Sequence, residues 1–197
     1  MEMTSDFKLV EEPEKTLSMH PKKFALWLFM VTVVMIFAAL TSAYIVRQAE
    51  GKWLVFELPQ IFWYSTALIA MSSISMHWAY LSAKRDNLDM VKVAVVITTI
   101  LGLLFTASQY YGFLALAEEG YHFSSNDVSV SFLIVLVGLH VVHLLSGIIV
   151  LIITLVSTFK YKVHSKNLTR LQMCVTYWHF LDVLWIYLFI FLLLNHN

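Results

Sequence analysis

The sequence predicts an all-α integral membrane bundle of five transmembrane helices, with its N-terminus cytoplasmic and its C-terminus outside. Three observations carry that expectation: only 13% of the 197 residues are charged, five apolar runs are long enough to cross a bilayer, and the basic residues crowd the loops of one side. A soluble domain carries about a quarter charged residues. A chain this poor in charge, with a mean hydropathy of +0.75, must turn most of its surface to lipid or to other helices. Net charge is +0, which gives no argument for nucleic acid as a partner.

The spans follow in order. A hydrocarbon core about 30 Å thick takes about 20 helical residues. The apolar runs are Phe24 to Val46, Ile61 to Leu81, Val91 to Ala117, Val128 to Phe159, and Met173 to Leu194. The second is the weakest, because Ser65, Thr66, Ser72, Ser73, Ser75 and His77 lower its hydropathy. Hydroxyls can bond back to their own helix or to a neighbour, so the run still fits a span. A membrane β-barrel would show short alternating segments instead. Residues 1–22 are mixed in charge and lack an apolar h-region and a small-residue cleavage site; they are expected to form a polar cytoplasmic tail before the transmembrane domain of residues 23–197, with the first helix serving as an uncleaved signal.

Lys and Arg set the orientation. One side receives Lys8, Lys15, Lys22, Lys23, Lys84, Arg85, Lys92, Lys160, Lys162, Lys166 and Arg170; the other receives Arg47 and Lys52. Cytoplasmic loops carry the excess of basic residues, so the first group lies inside. The loop from Glu118 to Asp127 and the terminal Asn195-His196-Asn197 fall outside. Trp27, Trp53, Trp63 and Trp78 sit near helix ends, as an interfacial belt requires. The loops are too short for a soluble domain. Internal repeats and broken helices, the signs of a transporter built from inverted repeats, are lacking. The single cysteine, Cys174, leaves no disulfide framework and no thiol pair for a metal.

Ionisable groups at membrane depth are costly and face the bundle interior. Helix four carries Gly138-x-His140-x-x-His143-x-x-x-Gly147, helix five carries Trp178-His179-x-x-Asp182-x-x-Trp185, helix three carries Gln109, and helix two ends near His77. Helix one has no acidic, basic or histidine side chain between Phe24 and Val46. His143 and Asp182 both fall near the middle of antiparallel spans, so a contact between them is expected. Three readings of the cluster stay open. His140, His143, His179, Asp182 and Gln109 can act as hydrogen-bonding clamps between helices, with Gly138 and Gly147 allowing close approach and Trp178 and Trp185 packing. His140 or His143 with His179 could supply axial ligands to a haem, or a copper site, although aromatic residues crowd helix five. A lipid-headgroup or proton-handling role is the third.

The run Tyr177-Trp178-His179-Phe180-Leu181-Asp182-Val183-Leu184-Trp185 resembles the closing signature of subunit III of haem-copper terminal oxidases. Gly138-Leu139-His140-Val141-Val142-His143-Leu144-Leu145-Ser146-Gly147 is similar to that family's G-x-H-x-x-H-x-x-x-G segment. Weaker matches run in order: Lys23 and Trp27-Leu28-Phe29, Ser42-Ala43-Tyr44, Pro59, Ser65-Thr66, Ser72-Ser73, Gly102 and Gln109. Two positions depart. Thr32-Val33 stands where the family commonly has Ser-Glu, and Gly112 stands where many members have a second glutamate. Functions of those carboxylates are not carried over.

The resemblance implies the five-helix bacterial form, in the cytoplasmic (inner) membrane. It implies a subunit without catalytic residues, cofactor or metal of its own, haem and copper lying in partner subunits. Such a subunit packs beside catalytic subunit I and other oxidase subunits, binds phospholipids, and supports proton uptake and durability. Cytochrome c is taken as the electron donor, with a quinol oxidase as the alternative and a haem-b membrane anchor as a further one. The orientation has a direct test. A reporter fused after Asn197 should register the outer side, and one inserted at Ser165 the cytoplasm; exchanged signals would refute the five-span topology.

Overall fold

The computed structural model describes residues 20–49, 60–118, 128–160 and 168–195. These hold five α-helices: α1 (Pro21–Ala49), α2 (Ile61–Lys84), α3 (Leu88–Glu118), α4 (Val128–Phe159) and α5 (Thr169–Leu194). The tail before His20, Lys52, Trp53 and Pro59, the loop of residues 119–127, Lys162, Lys166 and the terminal His196-Asn197 lie outside the described residues.

α1, α3, α4 and α5 are long and apolar enough to cross a membrane. α2 is not among them, and its seven Ser and Thr-type and histidine interruptions, already visible in the sequence, are the reason. α1, α3 and α5 each start about a turn before their apolar runs, because an apolar run marks hydrocarbon depth and not helix length. α1 begins where Pro21 takes the first helical position, a place that needs no N–H, and the His20 carbonyl accepts from Lys23 and Phe24. The α2–α3 link is short. Asp86, at φ 56, takes the left-handed conformation that closes a helix. Its N–H donates to the Ala83 carbonyl and that of Asn87 to Ser82, at 3.2 and 3.1 Å. Asn87 then caps α3, accepting at Oδ1 from the Met90 N–H.

Seven hydroxyls inside the helices bond back to their own backbone. Thr41, Thr66, Thr98, Thr99, Thr154, Ser157 and Thr158 each donate to the carbonyl four residues earlier. In hydrocarbon an unmet donor costs several kcal/mol, roughly, so this back-bonding is what admits them.

α2, α3, α4 and α5 close a ring in which each helix packs on two neighbours, and α1 lies outside it against α4 and α5. The ring is filled from α5. The Trp178 indole is buried and donates from Nε1 to Ser72 Oγ of α2 at 2.9 Å. Its far ring edge lies over Gly102 of α3, where an added Cβ would come within 2.7 Å, and its other edge lies beside Gly147 of α4. Trp185, two turns on, donates to Thr66 Oγ1 at 3.1 Å. It meets Phe62 of α2, Phe105 of α3 and His140 of α4, with ring centroids at 5.9, 5.4 and 5.3 Å.

α1 is attached by bonds at three depths. Lys23 Nζ donates to Gln172 Oε1 at 2.6 Å, Thr41 and Tyr187 share a hydroxyl bond of 2.8 Å, and Gln48 Nε2 donates to the Asn195 carbonyl at 3.3 Å. Val33, at the family's glutamate position, is buried in the apolar core. Gly112, the other departure, lies under Phe62, whose ring a Cβ there would approach to 3.1 Å.

Gly147 approaches its neighbour as expected: a Cβ would strike Leu181 and touch Trp178. The expectation for Gly138 is corrected, because nothing lies within 4 Å of a Cβ at that position. The space beside it is open among the described residues. The two kinds of glycine make opposite forecasts. Gly102→Ala drives a methyl into a rigid buried indole and should cost about 1–3 kcal/mol of thermal stability in detergent. Gly138→Ala meets open space and, by removing a glycine from a helix interior, should gain up to about 1 kcal/mol. Equal effects of the two would contradict this packing.

Candidate functional site

The polar groups at membrane depth gather on one seam, where α5 faces α2. The reason lies in the sequence of α2, whose Ser65-Thr66 and Ser72-Ser73 pairs recur at seven residues and so share a helix face. Opposite them α5 presents Trp178, His179, Asp182 and Trp185. Ser72 and Thr66 take the indole N–H groups. Ser73 Oγ and His179 Nδ1 share a bond of 2.6 Å. Ser65 accepts from Gln109 Nε2 of α3 at 2.9 Å, so the amide joins a third helix to the seam.

Asp182 is buried between the two tryptophan layers. Its Oδ2 stands 3.8 Å from His179 Nδ1, one turn back on the same helix. Neither carboxylate oxygen has a hydrogen-bond partner among the described residues. The expected contact with His143 is not formed. His143 is turned the other way, toward α1: its Nδ1 bonds the Leu139 carbonyl at 2.8 Å, and its ring meets Phe29 and Phe37 at 6.2 and 5.9 Å. Depth along the bilayer matched the two residues, but azimuth around α5 separates them.

His140 and His143, three apart on α4, also part company. His140 is fully buried against Trp185 inside the ring, and neither of its nitrogens has a partner among the described residues. His143 sits at the α1 seam, where Ser146 and Tyr177 tie α4 to α5 by a hydroxyl bond of 2.6 Å. His179 is partly open, with His77 of α2 beside it at a ring distance of 6.1 Å. No three His, Cys, Asp or Glu side chains converge as a metal site among the described residues.

Sequence reasoning missed the acceptors of the seam and the links from Lys23 to Gln172 and Thr41 to Tyr187. A signal for the first was present: a buried indole N–H needs an acceptor, and the hydroxyl pairs of α2 repeat at the spacing of the two tryptophans.

These features define a polytopic membrane bundle in which indole, amide, imidazole and hydroxyl side chains join one helix to the next. The family model described as cytochrome c oxidase subunit III matches residues 14–195, and the chain belongs to that family. It is thus a subunit of a haem-copper respiratory oxidase and a multi-pass protein of the bacterial cytoplasmic membrane. Among curated relatives it is similar to a cytochrome bo(3) ubiquinol oxidase subunit 3 of Buchnera aphidicola, 30% identical over 85% of this chain and 88% of the relative. A probable quinol oxidase subunit 3 of Staphylococcus saprophyticus is 28% identical over 85% of each chain. A cytochrome c oxidase subunit 3 of Bacillus sp. (strain PS3) is 26% identical over 93% of this chain and 90% of the relative.

A double-mutant cycle tests the seam. Asp182→Leu should cost about 1 kcal/mol by removing the carboxylate that stands 3.8 Å from His179 Nδ1. Combined with His179→Leu the loss should fall well short of additive, whereas Asp182→Leu with His143→Leu should be additive. The reverse pattern in melting temperatures would restore the His143 pairing.

Proposed function

We propose that this chain is the non-catalytic subunit III of an oxygen-reducing, proton-pumping oxidase. Haem and copper lie in catalytic subunit I, and this bundle packs on that subunit's flank with bound phospholipids, sustaining its proton uptake and endurance. α2 is its fifth span, the N-terminus is cytoplasmic and the C-terminus outside. His140, His143, His179, Asp182 and Gln109 act in helix packing and carry no redox centre. The observation that supports this most directly is the bonding of the seam: indoles, amide and imidazole from α3 and α5 engage the hydroxyls of α2, which is the work of polar glue between membrane helices.

The electron donor is read by partner subunits. Cytochrome c is the donor in this reading and a quinol is its alternative; relatives of both names match at similar identity. Steady-state oxygen uptake by the purified complex with reduced cytochrome c or with a quinol decides between them.

The supporting role is tested by gentle removal of this subunit. The remaining complex should keep its haem spectrum and its initial rate of oxygen reduction, but should inactivate sooner under turnover or take up protons more slowly. His140→Leu, His143→Leu and His179→Leu should alter assembly or stability without bleaching any haem band. Stoichiometric haem in the separately purified chain, lost with any one of these changes, would favour the haem-b anchor instead.

A further inference from the structure

The seam between α2 and α5 bonds its indoles, its amide and one imidazole, yet it leaves its carboxyl out. Asp182 is buried, and neither of its oxygens has a hydrogen-bond partner among the described residues. A carboxyl kept only to join helices would be bonded across the seam, as Ser65, Thr66 and Ser72 are. What stands beside it is His179, whose Nδ1 is 3.8 Å from Oδ2 and shares a bond of 2.6 Å with Ser73 Oγ. The other ring nitrogen, Nε2, is buried and without a partner among the described residues. Next in line is His77 of α2, an exposed residue whose ring centroid lies 6.1 Å from that of His179.

These three groups form a file that runs inward from one membrane surface. His77 lies seven residues before α2 ends at Lys84, about 10 Å along the axis. His179 lies ten residues into α5, about 15 Å along its own axis, and Asp182 follows about a turn deeper. About a turn nearer the surface than the two rings, Tyr80 and Thr176 line a cavity of about 400 Å³ together with Lys23 and Gln172. Other titratable groups are held elsewhere. Lys23 of α1 donates to Gln172, and Lys84 of α2 lies over the Tyr80 ring, 4.6 Å from its centre. On α4, His140 packs against Trp185 and His143 is turned toward α1. His179 is thus the ionisable group nearest Asp182.

We propose that Asp182 is a proton-binding site loaded through His77 and His179. Histidine gains and loses a proton near neutral pH, and files of His and Asp at membrane depth serve as proton relays. His77 takes a proton from water entering by the cavity and passes it to Nε2 of His179. That ring releases a proton from Nδ1 to Oδ2 of Asp182. Both imidazoles end neutral and the carboxylate ends as a carboxylic acid, so one proton has moved and no electron has. Trp178 and Trp185, both buried, pack in the layers on either side of Asp182. The file therefore ends at the carboxyl and holds a proton rather than passing it across the membrane. This deepens the proposed support of proton uptake, and it rests on that reading only for naming the loading surface cytoplasmic.

The site is read by infrared difference spectroscopy of the assembled complex in lipid vesicles. A protonated-carboxyl band that is missing from Asp182→Asn should grow as the pH is lowered, fade reversibly as it is raised, and shift on transfer to deuterium oxide. His77→Phe, at an exposed position, should slow that shift about tenfold or more, and His179→Phe should slow it further. No Asp182-dependent band at any pH, a band that ignores pH or deuterium, or exchange indifferent to His77→Phe would each overturn the inference. The His77 variant decides even where His179→Phe fails to assemble. Proton uptake by the catalytic subunit is measured separately, in Asp182→Asn. Unchanged uptake there would cut the link to the supporting role and leave the proton site standing.

Discussion

The placement of the Trp178 indole governs the arrangement of the four-helix ring. A tryptophan at membrane depth brings a large apolar body and one N–H that hydrocarbon cannot satisfy. Here the N–H finds Ser72 of α2, and the body fits only because α3 and α4 offer Gly102 and Gly147 at its two edges. One side chain therefore sets the height of three helices against the fourth. The second layer repeats the requirement seven residues along: Trp185 finds Thr66, and α4 meets it with His140, seven residues before Gly147. Two layers at matching spacing leave an antiparallel pair little freedom to slip. A slip of one residue on α4 would carry a side chain into the indole.

α1 obeys different physics. It is outside the ring, and many of its large apolar side chains face outward. Its attachment relies on aromatic edges, such as Tyr44 on Phe191 at 5.1 Å, and on separate polar bonds near each end and in the middle. Polar bonds spaced along a helix fix rotation and height without demanding close approach. Val33 shows the consequence for the missing carboxylate. Buried among apolar neighbours, it belongs to a contact made wholly by packing.

Much of this was legible in the sequence, and the failures share one cause. Five helices, their order and the special status of α5 followed from apolar runs and motif spacing. The weak hydropathy of α2 was also visible, and the hydroxyls that weaken it are those that receive Trp178, Trp185, Gln109 and His179. What could not be read was azimuth. Depth follows from counting residues at 1.5 Å each, and by depth alone His143 and Asp182 match. Which neighbour a helix face meets depends on how the helices are arranged around one another. Gly138 fails for the same reason: a small residue permits close approach but does not say that a neighbour is there.

The same azimuthal sorting bears on the histidines. Four of them lie within helices, yet they fall into three compartments separated by packed side chains. His140 is enclosed in the ring against Trp185. His143 is held in the α1 seam between Phe29 and Phe37. His77 and His179 stand side by side where α2 meets α5, and Ser73 already occupies Nδ1 of His179. A bis-imidazole haem needs two rings on opposite sides of one plane, and rings in separate compartments have no common plane to share. His77 and His179 are neighbours across the α2–α5 seam, their centroids 6.1 Å apart and tilted by 46°. With Nδ1 bonded to Ser73 and Nε2 buried, the His179 ring is committed to the α2–α5 seam.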